Sequence, residues 1–170
     1  MLIKFILNCE PVTVEAAADR RAVDLLREDF GLTGVKESCG SGECGACSIL
    51  FNGESRLSCL MMACQLDGAA ITTVEGLACG EALHPLQDAF IQKGAVQCGY
   101  CTPGMLISAA DLLRRNPSPS RQEIRTAISG NLCRCTGYQK IVDAVESAAE
   151  NMEACTPAVF PEKAMGSQLK

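Results

Sequence analysis

Tryptophan is absent from the 170 residues, and the aromatic side chains amount to two Tyr and five Phe. A core must therefore be assembled from Leu, Ile, Val, Ala and Met. His84 is the single histidine. A Rieske-type centre needs two His ligands, so that option is excluded. Ser-His-Asp hydrolysis is also unsupported, because His84 precedes Pro85 in what reads as a linker. No apolar run approaches the roughly 20 residues of a membrane span. The net charge of -5 and the lack of a long basic run argue against nucleic acid as a partner. No Gly-rich phosphate loop follows a strand, which argues against flavin or nicotinamide binding by this chain. Residues 1–7 are apolar but short, Glu10 follows closely, and no small-residue cleavage site is present. Arg20-Arg21 lies among Asp19, Asp24, Glu28 and Asp29 and reads as a helix start rather than an export signal. A cytoplasmic location is expected.

Cysteine, by contrast, is abundant: there are 12. In an exported chain of this size they would suggest disulfides. Without export signals, reduced thiolates that bind metal are the expectation.

The chain divides by pattern into a mixed half and a helical half. Residues 2–7 and 11–15 read as strands joined through Asn8-Cys9-Glu10. Residues 22–30 carry apolar side chains at helical spacing, with Gly31 as a C-cap. A Gly-rich segment from Val35 to Cys47 follows. Residues 48–51 and 55–58 form a hairpin around Asn52-Gly53. Residues 60–66 suggest a short helix and residues 69–74 a last strand. Beyond them lie helices from Pro85 to Gly94, from Pro103 (capped by Thr102) to Asn116, from a Ser120-x-x-Glu123 capping box to Gly130, and from Tyr138 to about Asn151. The expected divisions are a mixed unit at residues 1–76, a linker at 77–83, a four-helix unit at 84–155, and a C-terminal tail at 156–170 that is extended or mobile.

Cys39-x4-Cys44-x2-Cys47, with Cys59 beyond the hairpin, has the plant-type spacing for a [2Fe-2S] cluster. Gly40, Gly42 and Gly45 let the backbone curl tightly, and its freed N–H groups can bond the cluster sulfurs. Cys44-x2-Cys47 as a thioredoxin-like pair fits poorly, because a Gly-rich loop precedes it and a strand follows. Zinc remains an alternative, although Cys59 alone makes no second knuckle. Cys98-x2-Cys101 and Cys133-x-Cys135 form a second group. Each pair follows one helix and precedes another, so positive helix ends would face a cluster of about -2 charge. Zinc is open here too.

Three stretches make the combination specific: Gly42-Glu-Cys-Gly-Ala-Cys47, Gln97-Cys-Gly-Tyr-Cys-Thr-Pro-Gly-Met105 and Gly130-Asn-Leu-Cys-Arg-Cys-Thr-Gly-Tyr138. Thr72-Thr-Val-Glu-Gly-Leu77 and His84-Pro-Leu-Gln87 link them. With these the chain resembles the small iron–sulfur subunit of the molybdenum hydroxylases, the xanthine oxidase/aldehyde oxidoreductase family. The resemblance implies an α+β chain: a β-grasp plant-type ferredoxin domain followed by an all-α four-helix domain. It implies two [2Fe-2S] clusters, one on Cys39, Cys44, Cys47 and Cys59 and one on Cys98, Cys101, Cys133 and Cys135, and no catalytic residue in this chain. The second cluster would lie near a molybdopterin, in its cytosine dinucleotide form, on a large partner subunit. The first would lie towards FAD on a medium subunit. A heterotrimer is implied, and its dimerisation is compatible with the resemblance. Gln97 and Cys135 match positions that approach the pterin. A buried Gln97 bonded to local backbone is the plainer alternative.

Cys9 replaces a Gly common at that position in the family, and Cys64, Cys79 and Cys155 also fall outside both groups. Cys64 and Cys79 read as small buried hydrophobes, Cys155 as an exposed thiol. The expected function is electron relay within a multi-subunit molybdenum-dependent oxidoreductase. A free-standing two-cluster ferredoxin and a zinc-binding interaction module are the competing functions.

Overall fold

A computed structural model describes residues 1–78 and 82–152. The described residues form a mixed α/β structure with a five-stranded sheet and five α-helices. Strands β1 (Leu2–Leu7) and β2 (Glu10–Glu15) form an antiparallel hairpin. Asn8 and Cys9 both take positive φ at its turn (50° and 72°), as a type I′ turn requires. Thus Cys9 tolerates a conformation that favours Asn or Gly. In β1 the side chains alternate, with Ile3, Phe5 and Leu7 inward, the period of a half-buried strand.

Helix α1 (Ala22–Glu28) follows, two residues shorter than the periodicity suggests, and Gly31 beyond it has φ +66°. Strands β3 (Ser48–Phe51) and β4 (Glu54–Leu57) pair around Asn52-Gly53. β5 (Ala70–Thr72) runs parallel to β1 and antiparallel to β3, giving the order β2-β1-β5-β3-β4. The helix expected at 60–66 is instead two 3-10 turns, Ser58–Leu60 and Ala63–Leu66. The last strand is also shorter than the expected 69–74. The Asn8 side chain takes over there, accepting from Thr73 N at 2.9 Å and donating to Thr73 Oγ1 at 3.1 Å. The chain leaves the ladder and turns as a 3-10 helix over Val74–Leu77.

Helices α2 (Pro85–Gln92), α3 (Thr102–Arg115), α4 (Arg121–Ala127) and α5 (Gln139–Asn151) make up the rest. α3 begins one residue before the expected Pro103, with Cys101 rather than Thr102 at the N-cap. The Ser120–Glu123 capping box forms as expected. None of the described helices is long and apolar enough to cross a membrane. Cys79, Cys155 and the tail at 156–170 lie outside the described residues.

Two apolar clusters hold the structure. One fills the space between α1 and a face of the sheet, with Phe5 and Phe30 in edge-to-face contact at 5.7 Å. The other is built from α2–α5. Strand β3 serves both: Ile49 belongs to the first cluster and its neighbour Leu50 to the second. Alternate side chains point to opposite faces, so a strand buried on both reads as the continuous apolar run Ile49-Leu-Phe51. The helices are thereby docked on the sheet.

His84 is not a linker residue. It is buried at the start of α2, where Nδ1 accepts from Leu86 N at 3.2 Å while the His84 backbone N–H donates to Gln87 Oε1 at 2.9 Å. Only a ring unprotonated at Nδ1 can accept this bond, and burial lowers the pKa below its ordinary 6.5. An unfolded chain takes up that proton first, so the stability His84 contributes is present above about pH 6.5 and lost as pH falls through the lower folded value. Asn accepts the same bond without titrating. The stability difference between wild type and His84→Asn should therefore shift against the wild type between pH 7.5 and 5.5, followed by denaturant unfolding. A pH-independent difference would refute the capping role.

Candidate metal centres

Residues 36–47 form an irregular loop between α1 and β3 that carries three of the four thiols of the first group. Its glycines, Gly40, Gly42 and Gly45, take positive φ (63°, 84° and 70°). Ser41 N and Glu43 N donate to Cys39 Sγ at 3.4 and 3.3 Å, the freed-amide arrangement expected from the loop. The amide of Ser41, then the amide and thiol of Cys44, then the amide of Glu43 hold the Cys39 thiol down to about 6. Cys47 and Cys59 are buried. Burial pushes the Cys47 thiol up to about 12, opposed by the Cys59 amide and reinforced by the Cys59 and Cys44 thiols.

The second group lies at the starts of α3 and α5. Cys101 is the N-cap of α3, and Cys133 and Cys135 fall in the turn before α5. Cys98 Sγ and Cys135 Sγ are 3.7 Å apart at the surface, and the Cys98 thiol is the main reason Cys135 is harder to ionise. The half-buried Cys101 is pushed up to about 12 by burial, with the Cys133 thiol adding to the effect. Burial opposes ionisation at Cys133 as well. There the Thr136 hydroxyl and amide outweigh it, with help from the Cys135 amide and Cys101 thiol, and bring Cys133 down to about 7.

The thiols of each group act on one another: Cys44 on Cys39 and Cys59 on Cys47 in the first, Cys98 on Cys135 and Cys133 on Cys101 in the second. A tetrahedral metal with metal–sulfur bonds of about 2.3 Å sets two thiolates about 3.8 Å apart, which the Cys98–Cys135 pair matches. Among the described residues, no three His, Cys, Asp or Glu side chains surround a point suited to a single ion. A mononuclear zinc site needs four donors around one such point. The Cys98–Cys135 pair, spaced to grip one metal, fits one half of a binuclear core.

The two groups adjoin. Leu132 N donates to Cys44 O at 2.9 Å, linking the residue before Cys133 to a cysteine of the first group. Asn131, 4 % exposed, donates through Nδ2 to Gly45 O (2.9 Å) and Ser48 Oγ (3.4 Å) and accepts from Ser108 Oγ (2.6 Å). A Cβ on Gly45 would lie 2.4 Å from the Gly130 carbonyl, and one on Gly104 would lie 2.4 Å from the Gly45 carbonyl. Glycine at both positions is what lets the loops approach so closely. Tyr100 adds a bond from its hydroxyl to Glu37 O. Asn131 and Tyr138 lie within the motif Gly130–Tyr138, but nothing in the sequence separates their roles from those of neighbouring cysteines.

Gln97 is exposed, not buried against local backbone, and so is Cys135. Cys9 is exposed at its hairpin and Cys64 is half-buried in a 3-10 turn.

Comparison with known proteins places the chain in a family. A family model described as a 2Fe-2S iron-sulfur cluster binding domain matches residues 5–83, and one described as a [2Fe-2S] binding domain matches residues 73–146. The nicotinate dehydrogenase small FeS subunit of Eubacterium barkeri is 54% identical over 144 residues, covering 85% of this chain and 92% of that subunit. The chain belongs to the small iron–sulfur subunits of the molybdenum hydroxylase family. The nicotine 6-hydroxylase small subunit of Paenarthrobacter nicotinovorans is likewise 54% identical, over 80% of this chain and 82% of its own. Among solved structures, a chain of quinoline 2-oxidoreductase from Pseudomonas putida 86 superposes with a TM-score of 0.87 at 47% identity, covering 91% of this family member and 96% of that chain.

Asn131→Ala should lower the unfolding free energy of the holoprotein by about 1–3 kcal/mol, the cost of breaking a buried hydrogen-bonded hub. Equilibrium denaturation measures it. A change within about 0.5 kcal/mol, typical of exposed positions, would show that Asn131 does not hold the loops together.

Proposed function

We infer that this chain is the electron-relay subunit of a multi-subunit molybdenum hydroxylase, passing electrons between a molybdopterin site on a large subunit and FAD on a medium subunit. The observation that carries this is the pair of four-thiol groups joined by a single hydrogen-bonded seam. Near-full-length relatives that are themselves small iron–sulfur subunits support the same reading. The isolated chain is not catalytic.

In this reading Cys39, Cys44, Cys47 and Cys59 hold one [2Fe-2S] cluster and Cys98, Cys101, Cys133 and Cys135 the other. The first belongs to a β-grasp ferredoxin domain over residues 1–76, the second to a four-helix domain over residues 84–155, with residues 77–83 between them. Each cluster, when bound, supplies a one-electron couple. The chain's own residues do the rest. The inner thiols are shielded from solvent, amides and helix ends face the sulfurs, and the Cys44 peptide, the Leu132 N–H and Cys133 form the route between clusters. Exposed Gln97 and Cys135 make the molybdopterin end: an amide donates and accepts at once, which suits a pterin ring edge. The partners are a large subunit with molybdopterin cytosine dinucleotide and a medium FAD subunit, in a cytoplasmic heterotrimer.

Purified with its partners, the small subunit should account for four iron and four acid-labile sulfide per chain, two of each per [2Fe-2S] cluster. Zinc in place of iron, with no labile sulfide, would overturn the assignment. Migration of the native protein as a lone chain carrying both clusters would favour the free-standing ferredoxin instead.

A further inference from the structure

The eight candidate ligands do not receive equivalent hydrogen bonds. Cys39 Sγ is bonded by backbone amides. Cys133 Sγ is 3.4 Å from the Thr136 amide and also 3.0 Å from Thr136 Oγ1, a side-chain hydroxyl. Between a free thiol and a hydroxyl either atom can donate. A metal-bound thiolate has no proton, so Thr136 must then be the donor.

Its orientation is fixed by neighbours. Tyr138 N donates to Thr136 Oγ1 at 3.2 Å, occupying an oxygen lone pair and leaving the hydroxyl proton for the sulfur. Cys133 N donates in turn to the Tyr138 hydroxyl at 2.8 Å, and Tyr138 is held at φ +68°. Three hydrogen bonds thus close a small ring around one sulfur, on the side of the group that adjoins Leu132 and Cys44.

We propose that Thr136 sets the redox character of the cluster at the helix ends. Its hydroxyl, donating to Cys133 Sγ, would raise the reduction potential of a cluster held by Cys98, Cys101, Cys133 and Cys135. This rests on the two-cluster reading above. One electron enters and the same electron leaves; no bond breaks, and Thr136 keeps its proton. The added negative charge falls partly on the ligand sulfurs of the reduced iron. A hydrogen bond to a more negative acceptor is stronger, so the bond favours the reduced state, and hydrogen bonds to the sulfurs are a recognised determinant of cluster potential. Cys133, the ligand that Thr136 serves, follows Leu132, whose N–H donates to Cys44 O. Thr136 acts here through Cys133 and is a positioning residue for charge.

The test uses the assembled holoenzyme and its Thr136→Val and Thr136→Ser variants, with the midpoint of each cluster taken from EPR-monitored potentiometry. Val keeps the shape and loses the donor. It should weaken reduction of the helix-end cluster about tenfold, a downward shift of ~59 mV for a one-electron couple. Ser should restore most of the shift, and the other cluster should not move. An unchanged midpoint in Val, or equal shifts in Val and Ser, would overturn the proposal. If the Val variant does not assemble, the wild type still decides: ENDOR in H2O and D2O should show a strongly coupled exchangeable proton on the reduced helix-end cluster, and its absence would overturn the proposal. A wild type lacking a second [2Fe-2S] signal altogether would instead refute the two-cluster reading.

Discussion

The 2.9 Å hydrogen bond from Leu132 N to Cys44 O joins two parts of the chain that are distant in sequence and chemically alike. Its flanks are fixed by the buried Asn131 amide, which reaches Gly45, Ser48 and Ser108. Two glycines, Gly45 and Gly104, leave no side chain in the gap. Electron relay depends on such a seam, because two redox groups separated by a loose or solvated interface do not communicate at a defined distance. Strand β3 supports it from below by contributing Ile49 to one apolar cluster and Leu50 to the other. The helices therefore cannot drift from the sheet without opening both.

The thiols on either side of this seam are graded. Cys47 and Cys101 are pushed up to about 12 by burial, whereas backbone and hydroxyl donors bring Cys39 to about 6 and Cys133 to about 7. Each group thus pairs a thiol that ionises readily with one that stays protonated until a metal displaces the proton. Metal uptake must release protons from the inner sites, and the bound metal then offsets the desolvation that burial imposes. The outward thiols, Cys39 in one group and Cys98 and Cys135 in the other, lie at the surface, where a partner could approach.

Much of this was legible in the sequence. The period-2 pattern of β1, the Asn52-Gly53 hairpin and the Ser120–Glu123 box rest on local chemistry, and the structure has them where local chemistry puts them. The sequence also puts the cysteines close to one another in the chain, and the structure brings Cys98 and Cys135 to 3.7 Å. The failures have a common cause. The 60–66 segment and the shortened β5 are decided by distant partners: Ala22 N donates to Met61 O and Ala63 N donates to Arg20 O, tying the segment to the start of α1, and Asn8 captures Thr73. Local periodicity carries no record of such contacts. For the same reason Asn131 was visible as a motif letter and invisible as the hub of a seam.

In the proposed two-cluster reading, the Leu132–Cys44 bond keeps the clusters at a short, fixed separation. Low-temperature EPR of the fully reduced, intact complex tests it most directly. With both clusters paramagnetic, the account predicts two distinguishable [2Fe-2S] signals that broaden or split one another, an effect absent when only one is reduced. Two reduced signals with no mutual splitting or enhanced relaxation would contradict it.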